Sequence, residues 1–178
     1  KFISYSLKTL GIDLGNILRP KGGRNPKGFW EDSSILALNR ILARELGDPW
    51  FAASYFDQKN TEKVFARYAS YAVGILNKRF STTSDWAFKD PRTIVMLPFW
   101  QSAFQALGLH DHYVIALRNP LATAHSIKKI TGQDLEMILL MWLMNTIVMI
   151  DGTLHRQRVI VSYEDMLQQP LVQLERIR

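Results

Sequence analysis

Val114–Ser126 reads VIALRNPLATAHS, an apolar run that ends in Arg118 and is followed at once by Asn119 and Pro120. Asn as a cap and Pro at the first helical position are typical of a helix start. In open α/β sheets, an apolar strand that carries an Arg at its carboxyl end, just before a helix, builds an anion site. The Arg118 guanidinium offers a planar fork for phosphate oxygens, and Ser126, eight residues later, offers a hydroxyl. The stretch therefore predicts a strand, a helix and a phosphate site.

The composition of the chain bounds its size and its ligands. With 178 residues, 47% of them apolar and 21% charged, it is expected to form one domain with a sizeable core. A net charge of +6 and a pI near 9.7 favour an anionic ligand, which could be nucleic acid, a nucleotide or an acidic glycan. The loop Leu18–Gly28 is basic but has little aromatic content, so nucleic-acid binding is not favoured. The lack of cysteine excludes disulfides and thiolate metal sites and is compatible with a cytoplasmic protein.

Strand patterns alternate with helix patterns along the chain, which indicates an α/β protein with a parallel sheet. The predicted strands are Trp86–Lys89, Tyr113–Leu117 and Val159–Val161. The predicted helices are Phe2–Leu10, one capped by Asp32 or Ser33, one capped by Thr61, one that follows Pro91, one that starts at Pro120, Leu135–Ile150 and Leu171–Ile177.

Two features of this pattern bear on the number of strands in the sheet and on the burial of one helix. Three strands are few for a parallel sheet, and the sequence begins in a helix, where a strand and a loop are expected. We therefore expect a first strand and loop upstream of Lys1. The most apolar segment, Met137–Ile150, is shorter than the roughly 20 residues that a bilayer-spanning helix needs, so it is expected to be a buried helix without a transmembrane role.

Three further segments carry groups that could take part in chemistry. Lys89 and Asp90, in WAFKDPR, follow a predicted strand, so Lys89 is expected above the sheet, where it could neutralise a leaving oxygen. Tyr163, in SYED, follows another strand and could stack on a base. Glu31, in NPKGFWED, stands beside two aromatics at a helix start, and a partly buried carboxylate there could act as a base.

Each of these groups also has a purely structural interpretation. Arg118 could lie on the surface at the end of its strand, and Lys89 with Asp90 could form a solvated turn pair. Tyr163 could pack against a strand end, ahead of two acids that favour a helix start. Glu31 could likewise serve only as a favourable charge at the start of a helix. Taken one at a time, the segments leave both interpretations open.

Taken together and in order, the segments resemble the sulfotransferase family, which transfers a sulfuryl group from 3′-phosphoadenosine 5′-phosphosulfate (PAPS). RNPLATAHS, from Arg118 to Ser126, is similar to the family's 3′-phosphate site, and VSYEDMLQQP is similar to its downstream YED-and-Pro motif. NPKGFWED, FKDPR and LPFWQSAFQALG resemble the bacterial, carbohydrate-type branch. The resemblance covers most of Leu10–Arg178 and implies a three-layer, P-loop-like parallel sheet flanked by helices.

The resemblance also implies roles for individual residues. The residues that it assigns to the donor are Arg118, Ser126 and Tyr163. Those that it assigns to catalysis are Lys89 at the sulfuryl or leaving oxygen, Glu31 as the base and Asp90 as the second candidate for the base. The co-substrate would be PAPS, the product adenosine 3′,5′-bisphosphate and the acceptor a hydroxyl of a glycan or glycolipid, with no metal required.

One part of the family pattern is not matched. Relatives open with a strand and a PxSGTT-like loop that holds the 5′-phosphosulfate end of the donor, and LKTLGIDLG resembles the helix and turn just after it. Residues 1–178 are therefore expected to be a single sulfotransferase-like domain truncated at both ends, binding the donor poorly and not catalysing as given.

Two other functions remain open from the sequence. One is a P-loop kinase or another nucleotide-binding enzyme, which would share the fold class. The other is a non-catalytic remnant that binds a glycan or a nucleotide. The aromatic residues that could line a sugar site, or equally pack in the core, are Phe29, Trp30, Trp50 and Phe51.

Overall fold

The computed structural model describes residues 2–15, 18, 29–47, 58–83 and 85–178. The chain divides into two compact units, the first formed by Lys1–Trp50 and Phe56–His110 and the second by Phe51–Tyr55 and Asp111–Arg178. Several predictions lie outside the described residues: the loop at 19–28, the helix end at 48–49, and any role of Trp50 or Phe51 in a sugar site.

The first unit is built from helices around one hydrophobic core. Its elements are α1 (Phe2–Thr9), α2 (Ser33–Glu45), α3 (Gln58–Phe80), a 3₁₀ turn (Pro91–Ile94) and α4 (Leu97–Ala106). The apolar face predicted for α2 is confirmed, because Ile35, Leu38 and Leu42 are buried in the same core as Leu76 of α3 and Trp100 of α4. This core fixes the start of α2 and the 3₁₀ turn, the two places where candidate catalytic residues lie.

Of the helix caps predicted in the first unit, the one at the start of α2 is confirmed and the one at the start of α3 is wrong. Asp32 caps α2 as predicted, since its carboxylate accepts from the backbone N–H groups of Ser34 at 2.9 Å and Ile35 at 3.2 Å. The cap predicted at Thr61 is wrong, because α3 already includes Gln58. The Gln58 side chain donates to Glu62 at 3.2 Å, one turn later, and nothing in Gln-Lys-Asn interrupts a helix.

The predicted strand Trp86–Lys89 is wrong in extent. It is reduced to one parallel bridge between Asp13 and Trp86. The Asp13 N–H donates to the Asp85 carbonyl at 3.1 Å, and the Ala87 N–H donates to the Asp13 carbonyl at 2.8 Å. Two hydrogen bonds hold this segment beside the turn after α1, and Lys89 follows it in extended chain.

The second unit contains a parallel pair of strands with helices between and after them. Its elements are β1 (His112–Leu117), α5 (Pro120–Thr131), α6 (Leu135–Gly152), β2 (Gln157–Ser162), α7 (Tyr163–Gln168) and α8 (Pro170–Ile177). β1 and β2 pair from His112 with Gln157 to Leu117 with Ser162. Both strands were predicted from their apolar runs, and the predicted start of α5, with Asn119 as cap and Pro120 as first residue, is confirmed.

The fold is therefore α/β, mostly helical, with a two-stranded parallel sheet flanked by helices. Among the described residues no third strand joins β1 and β2, so the expected three-stranded sheet is not formed there. The missing third strand is the Trp86–Lys89 segment, whose single bridge pairs it with Asp13.

Helix α6 differs from the expected buried helix. It has 18 residues and a mean hydropathy of 1.6, so it is long and apolar enough to cross a membrane by length and composition alone. Only Ile138 and Met141 are buried, while Leu140 and Ile147 are 53% and 51% exposed. Among the described elements α6 packs chiefly against α5, which covers one face of a helix that carries apolar residues on every side.

Candidate functional site

Two of the residues predicted to bind the donor meet at the carboxyl edge of the sheet. Leu117 pairs with Ser162 at the ends of β1 and β2, so Arg118 and Tyr163 each follow the last paired residue. The Cζ atom of Arg118 lies 4.9 Å from the centroid of the Tyr163 ring, a cation–π contact. Parallel sheets bind ligands at this edge, and the Arg118 guanidinium is held there.

The start of α5 lies at the same edge. The Asn119 side chain accepts from the Ala122 N–H at 3.0 Å and caps the helix. The Asn119 N–H in turn donates to the Glu164 carboxylate at 3.3 Å, and the Ser162 hydroxyl donates to the other Glu164 oxygen at 3.3 Å. Glu164 thereby ties the chain after β1 to the chain after β2, a role that the sequence analysis did not assign to it.

The protonation of Glu164 follows from these contacts. Its pKa lies below the ordinary value, chiefly because its own backbone N–H donates to the carboxylate. Desolvation opposes this shift of the pKa, while the Asn119 N–H, the Ser162 hydroxyl and the Arg118 charge add to it. The edge therefore carries the Glu164 carboxylate near the Arg118 guanidinium.

Ser126 lies exposed in the second turn of α5. It stands six residues after Pro120, which is about 9 Å along the helix axis. Arg118 is also exposed, and among the ion pairs of the described residues none involves its guanidinium. Both predicted phosphate ligands are thus accessible, on one strand end and on the helix that follows it.

Two of the predicted catalytic residues meet in the first unit. Lys89 Nζ donates to Glu31 Oε1 at 2.7 Å, although the residues are 58 positions apart in the sequence. The Glu31 side chain is 5% exposed and the Lys89 side chain 36% exposed. The pair places a buried proton acceptor beside a partly exposed cation.

The third predicted catalytic residue, Asp90, is held by structural contacts. Its Oδ1 accepts from the Arg92 backbone N–H at 2.9 Å and from the Arg92 guanidinium at 3.1 Å, so it caps the 3₁₀ turn. Its Oδ2 accepts from the Asn39 amide at 3.3 Å, and Asn39 accepts from the Trp100 indole N–H at 2.9 Å. Asp90 therefore fixes the segment that carries Lys89 onto the core.

A second buried carboxylate, that of Asp32, directly follows Glu31 in the chain. Asp32, which caps α2, also forms an ion pair with Arg79 of α3. Gly15 lies against this pair with φ +89°, where a side-chain Cβ would come 2.5 Å from the Asp32 carboxylate. The ion pair and the close approach of Gly15 hold the chain at Asp32, directly after Glu31.

Sequence reasoning left Trp30 as one aromatic among several, and the structure makes it distinctive. Its φ is +56°, in the left-handed region that costs a residue other than glycine on the order of 1–3 kcal/mol. Its ring lies edge-on to Tyr5 at 6.1 Å, and Lys8 Nζ is 5.4 Å from its centroid. Trp30 and Lys8 line a cavity of about 300 Å³. Trp30 was one of four aromatics expected either to line a sugar site or to pack in the core, and no pattern in the sequence pointed to Lys8.

Neither a search for metal ligands nor a comparison with known proteins adds to this description of the site. In the part of the chain that the structure describes, no group of three or more His, Asp or Glu residues could hold a metal ion. Comparison with family models, with curated proteins and with solved structures gives no match for this chain.

Proposed function

We propose that this protein is a sulfotransferase that moves a sulfuryl group from PAPS to a hydroxyl of a carbohydrate or glycolipid. The observation that carries the proposal is the Arg118 guanidinium on the Tyr163 ring, at the carboxyl edge of a parallel pair of strands and just before a capped helix. The order of the sequence segments supplies the identity of the anion, because RNPLATAHS and SYED resemble the family's donor motifs.

The donor end of the proposal rests on charge and access. Arg118 and Ser126 bind the 3′-phosphate. Tyr163 keeps the guanidinium at the sheet edge, and its ring stacks on the adenine of the donor. A guanidinium fork suits phosphate oxygens, and each charge-assisted hydrogen bond contributes about 1.5–3 kcal/mol. The net charge of +6 adds a general attraction for a donor with several negative charges.

The transfer itself is an in-line displacement. The acceptor oxygen forms a bond to sulfur while the bond from sulfur to the phosphate oxygen breaks, and adenosine 3′,5′-bisphosphate leaves. Glu31 takes the proton of the acceptor hydroxyl, and Lys89 neutralises the sulfuryl or leaving oxygen. Their contact at 2.7 Å supports this division, since the two groups are already side by side. Asp90, the second candidate for the base, serves the proposal better as the cap that positions Lys89.

The finer fold is part of the same proposal. β1 and β2 belong to a three-layer, P-loop-like parallel sheet, with α5 and α6 as the crossover between them. The crossover of a parallel pair through helices, and an anion-binding residue at the carboxyl end of β1, support this arrangement.

Calorimetric titration with three nucleotides tests the function. Adenosine 3′,5′-bisphosphate is expected to bind at least about tenfold more tightly than adenosine 5′-monophosphate, because only the former carries the 3′-phosphate for Arg118. Equal affinities for these two nucleotides would remove the 3′-phosphate site. Tighter binding of ADP than of the bisphosphate would favour a kinase-like nucleotide site.

A further inference from the structure

The cavity at Trp30 lies in the first unit, and none of the residues proposed for donor binding or catalysis lines it. It is enclosed by the end of α1 and the chain from Gly11 to Gly15, with Trp30 on another side. Its volume of about 300 Å³ is at the lower end of the roughly 300–1,000 Å³ of small-molecule sites. A site of this size accommodates one or two rings.

Trp30 packs against Tyr5 and Lys8 of α1, outside the hydrophobic core of the first unit. It is half-buried and belongs neither to the hydrophobic core nor to the residues that pack against that core. Its backbone is nevertheless held at φ +56°, and its indole forms a wall of the cavity. Strained residues of this kind cluster at ligand sites, where the surrounding structure holds an otherwise unfavourable conformation.

Polar groups of both signs line the cavity beside the indole. Lys8 is exposed, and its ammonium lies 5.4 Å from the centroid of the Trp30 ring. Asp13 is half-buried and uses Oδ1 to accept from the Gly15 N–H at 2.8 Å. A cation, a carboxylate and an aromatic ring are the groups that bind an acidic sugar: the ammonium pairs with its carboxylate, Asp13 accepts from its hydroxyls, and the indole covers its C–H face.

We propose that this cavity is a subsite for an acidic pyranose residue of the glycan acceptor. The inference rests on the proposed function, which places the nucleotide at Arg118 and Tyr163 and leaves the Trp30 cavity for the acceptor. Trp30 directly precedes Glu31, the proposed base, so the residue that binds the acceptor and the residue that activates it are consecutive. The net charge of +6 agrees with an acidic glycan.

The test uses fluorine NMR of the chain labelled with 5-fluorotryptophan. The Trp30 resonance is identified as the one missing from Trp30→Phe, and methyl β-D-glucuronide, methyl β-D-glucoside and adenosine 5′-monophosphate are the probes. Glucuronide is expected to shift this resonance saturably and to bind more tightly than the glucoside. Lys8→Ala is expected to weaken glucuronide binding at least several-fold, whereas Lys63→Ala, at an exposed lysine of α3, leaves it unchanged.

Three outcomes would overturn the subsite: no saturable shift with glucuronide, a shift that persists unchanged in Lys8→Ala, or a larger response to the nucleotide. The titration needs no sulfuryl donor, so it is independent of the nucleotide calorimetry. Bisphosphate binding without a glucuronide response would remove the subsite and keep the proposed function. A glucuronide response without bisphosphate binding would keep a sugar site and remove the sulfotransferase.

Discussion

Gly15 is a residue whose replacement tests the packing beside the candidate catalytic pair. Gly15→Ala would place its Cβ 2.5 Å from the Asp32 carboxylate and 3.2 Å from the Arg79 guanidinium, at φ +89°. The matched control is Gly108→Ala, which also has a positive φ, +64°, but meets nothing within 4 Å. Gly108→Ala is expected to cost about 1 kcal/mol of unfolding free energy, and Gly15→Ala about 1–3 kcal/mol more, because overpacking adds to the backbone strain.

Urea denaturation of the two glycine variants measures these costs. Equal losses would show that Asp32 and Arg79 do not enclose Gly15. Gly108 is a suitable control because it lies in the same unit as Gly15.

The division of roles between Glu31 and Asp90 is tested by a pair of amide substitutions. Glu31→Gln keeps the shape of the side chain but removes the proton acceptor, so turnover is expected to fall by about 10²–10⁴-fold. Asp90→Asn would turn an amide toward the Asn39 amide that now donates to Asp90, at an expected cost of about 1–3 kcal/mol of stability. The assay measures sulfuryl transfer from PAPS in a protein that also carries the 5′-phosphosulfate loop expected upstream of Lys1. Near-normal turnover of Glu31→Gln in that protein would exclude Glu31 as the base.

Residue-scale expectations succeeded where one local rule decides a position. Asn119 was predicted as a cap, and Asp32 as one of two candidates with Ser33, because short polar side chains at a helix start accept from its free N–H groups. The contact of Lys89 with Glu31 spans 58 positions, and no local pattern encodes it. The strained backbone of Trp30 likewise depends on how α1 and the following turn meet its ring.

At the scale of elements, α6 offers a direct test of which apolar side chains are covered. Ile138 is fully buried, and Leu140, two positions later, is 53% exposed. Ile138→Ala is expected to cost about 2–5 kcal/mol of unfolding free energy, whereas Leu140→Ala changes it by no more than about 0.5 kcal/mol. If thermal or urea unfolding showed equal costs, the Leu140 face would be covered in solution.

The junction of β1, β2 and α7 makes stability depend on pH through Glu164. Because its pKa in the folded chain lies below its ordinary value of 4.5, the charged carboxylate favours folding. This contribution is fully present above the unfolded pKa and is lost as the pH falls through the folded pKa.

The stability advantage of the parent chain over Glu164→Gln is therefore expected to shrink as the solution is acidified from neutral pH. The measurement is urea unfolding over that pH range, with Glu175→Gln, at an exposed acid of α8, as the matched substitution. A pH-independent difference for Glu164→Gln would contradict the hydrogen bonds that it accepts.

Elements were predicted correctly where the apolar pattern of the sequence matched how the element is paired or buried in the folded chain. β1 and β2 were found because apolar runs between turns are typical of strands in parallel sheets. The segment Trp86–Lys89 is also mostly apolar, yet its only bridge among the described residues is to Asp13, so no strand forms there. Helix α6 was found, but its burial was not, since an apolar sequence does not say which neighbours cover it.

For the whole molecule, the sequence pattern predicted the correct fold class but did not locate the anion site. The alternation of strands and helices predicted an α/β protein, and the structure confirms this coarse class. The charge of +6 favoured an anion without saying where it binds. The register of β1 with β2 favours the carboxyl edge of the sheet as the place where an anion binds, because it brings Arg118 and Tyr163 together there.

The central claim is that Arg118 binds the 3′-phosphate of the donor nucleotide. Calorimetric titration of the parent chain, Arg118→Ala, Arg118→Lys and the control Arg40→Ala with adenosine 3′,5′-bisphosphate tests it most directly. Arg118→Ala is expected to lose at least about 1.5 kcal/mol of binding free energy, roughly tenfold in affinity, with Arg118→Lys between it and the parent chain. Arg40, exposed on α2, controls for the loss of one charge and is expected to bind as the parent does. Unchanged affinity in Arg118→Ala would contradict the account.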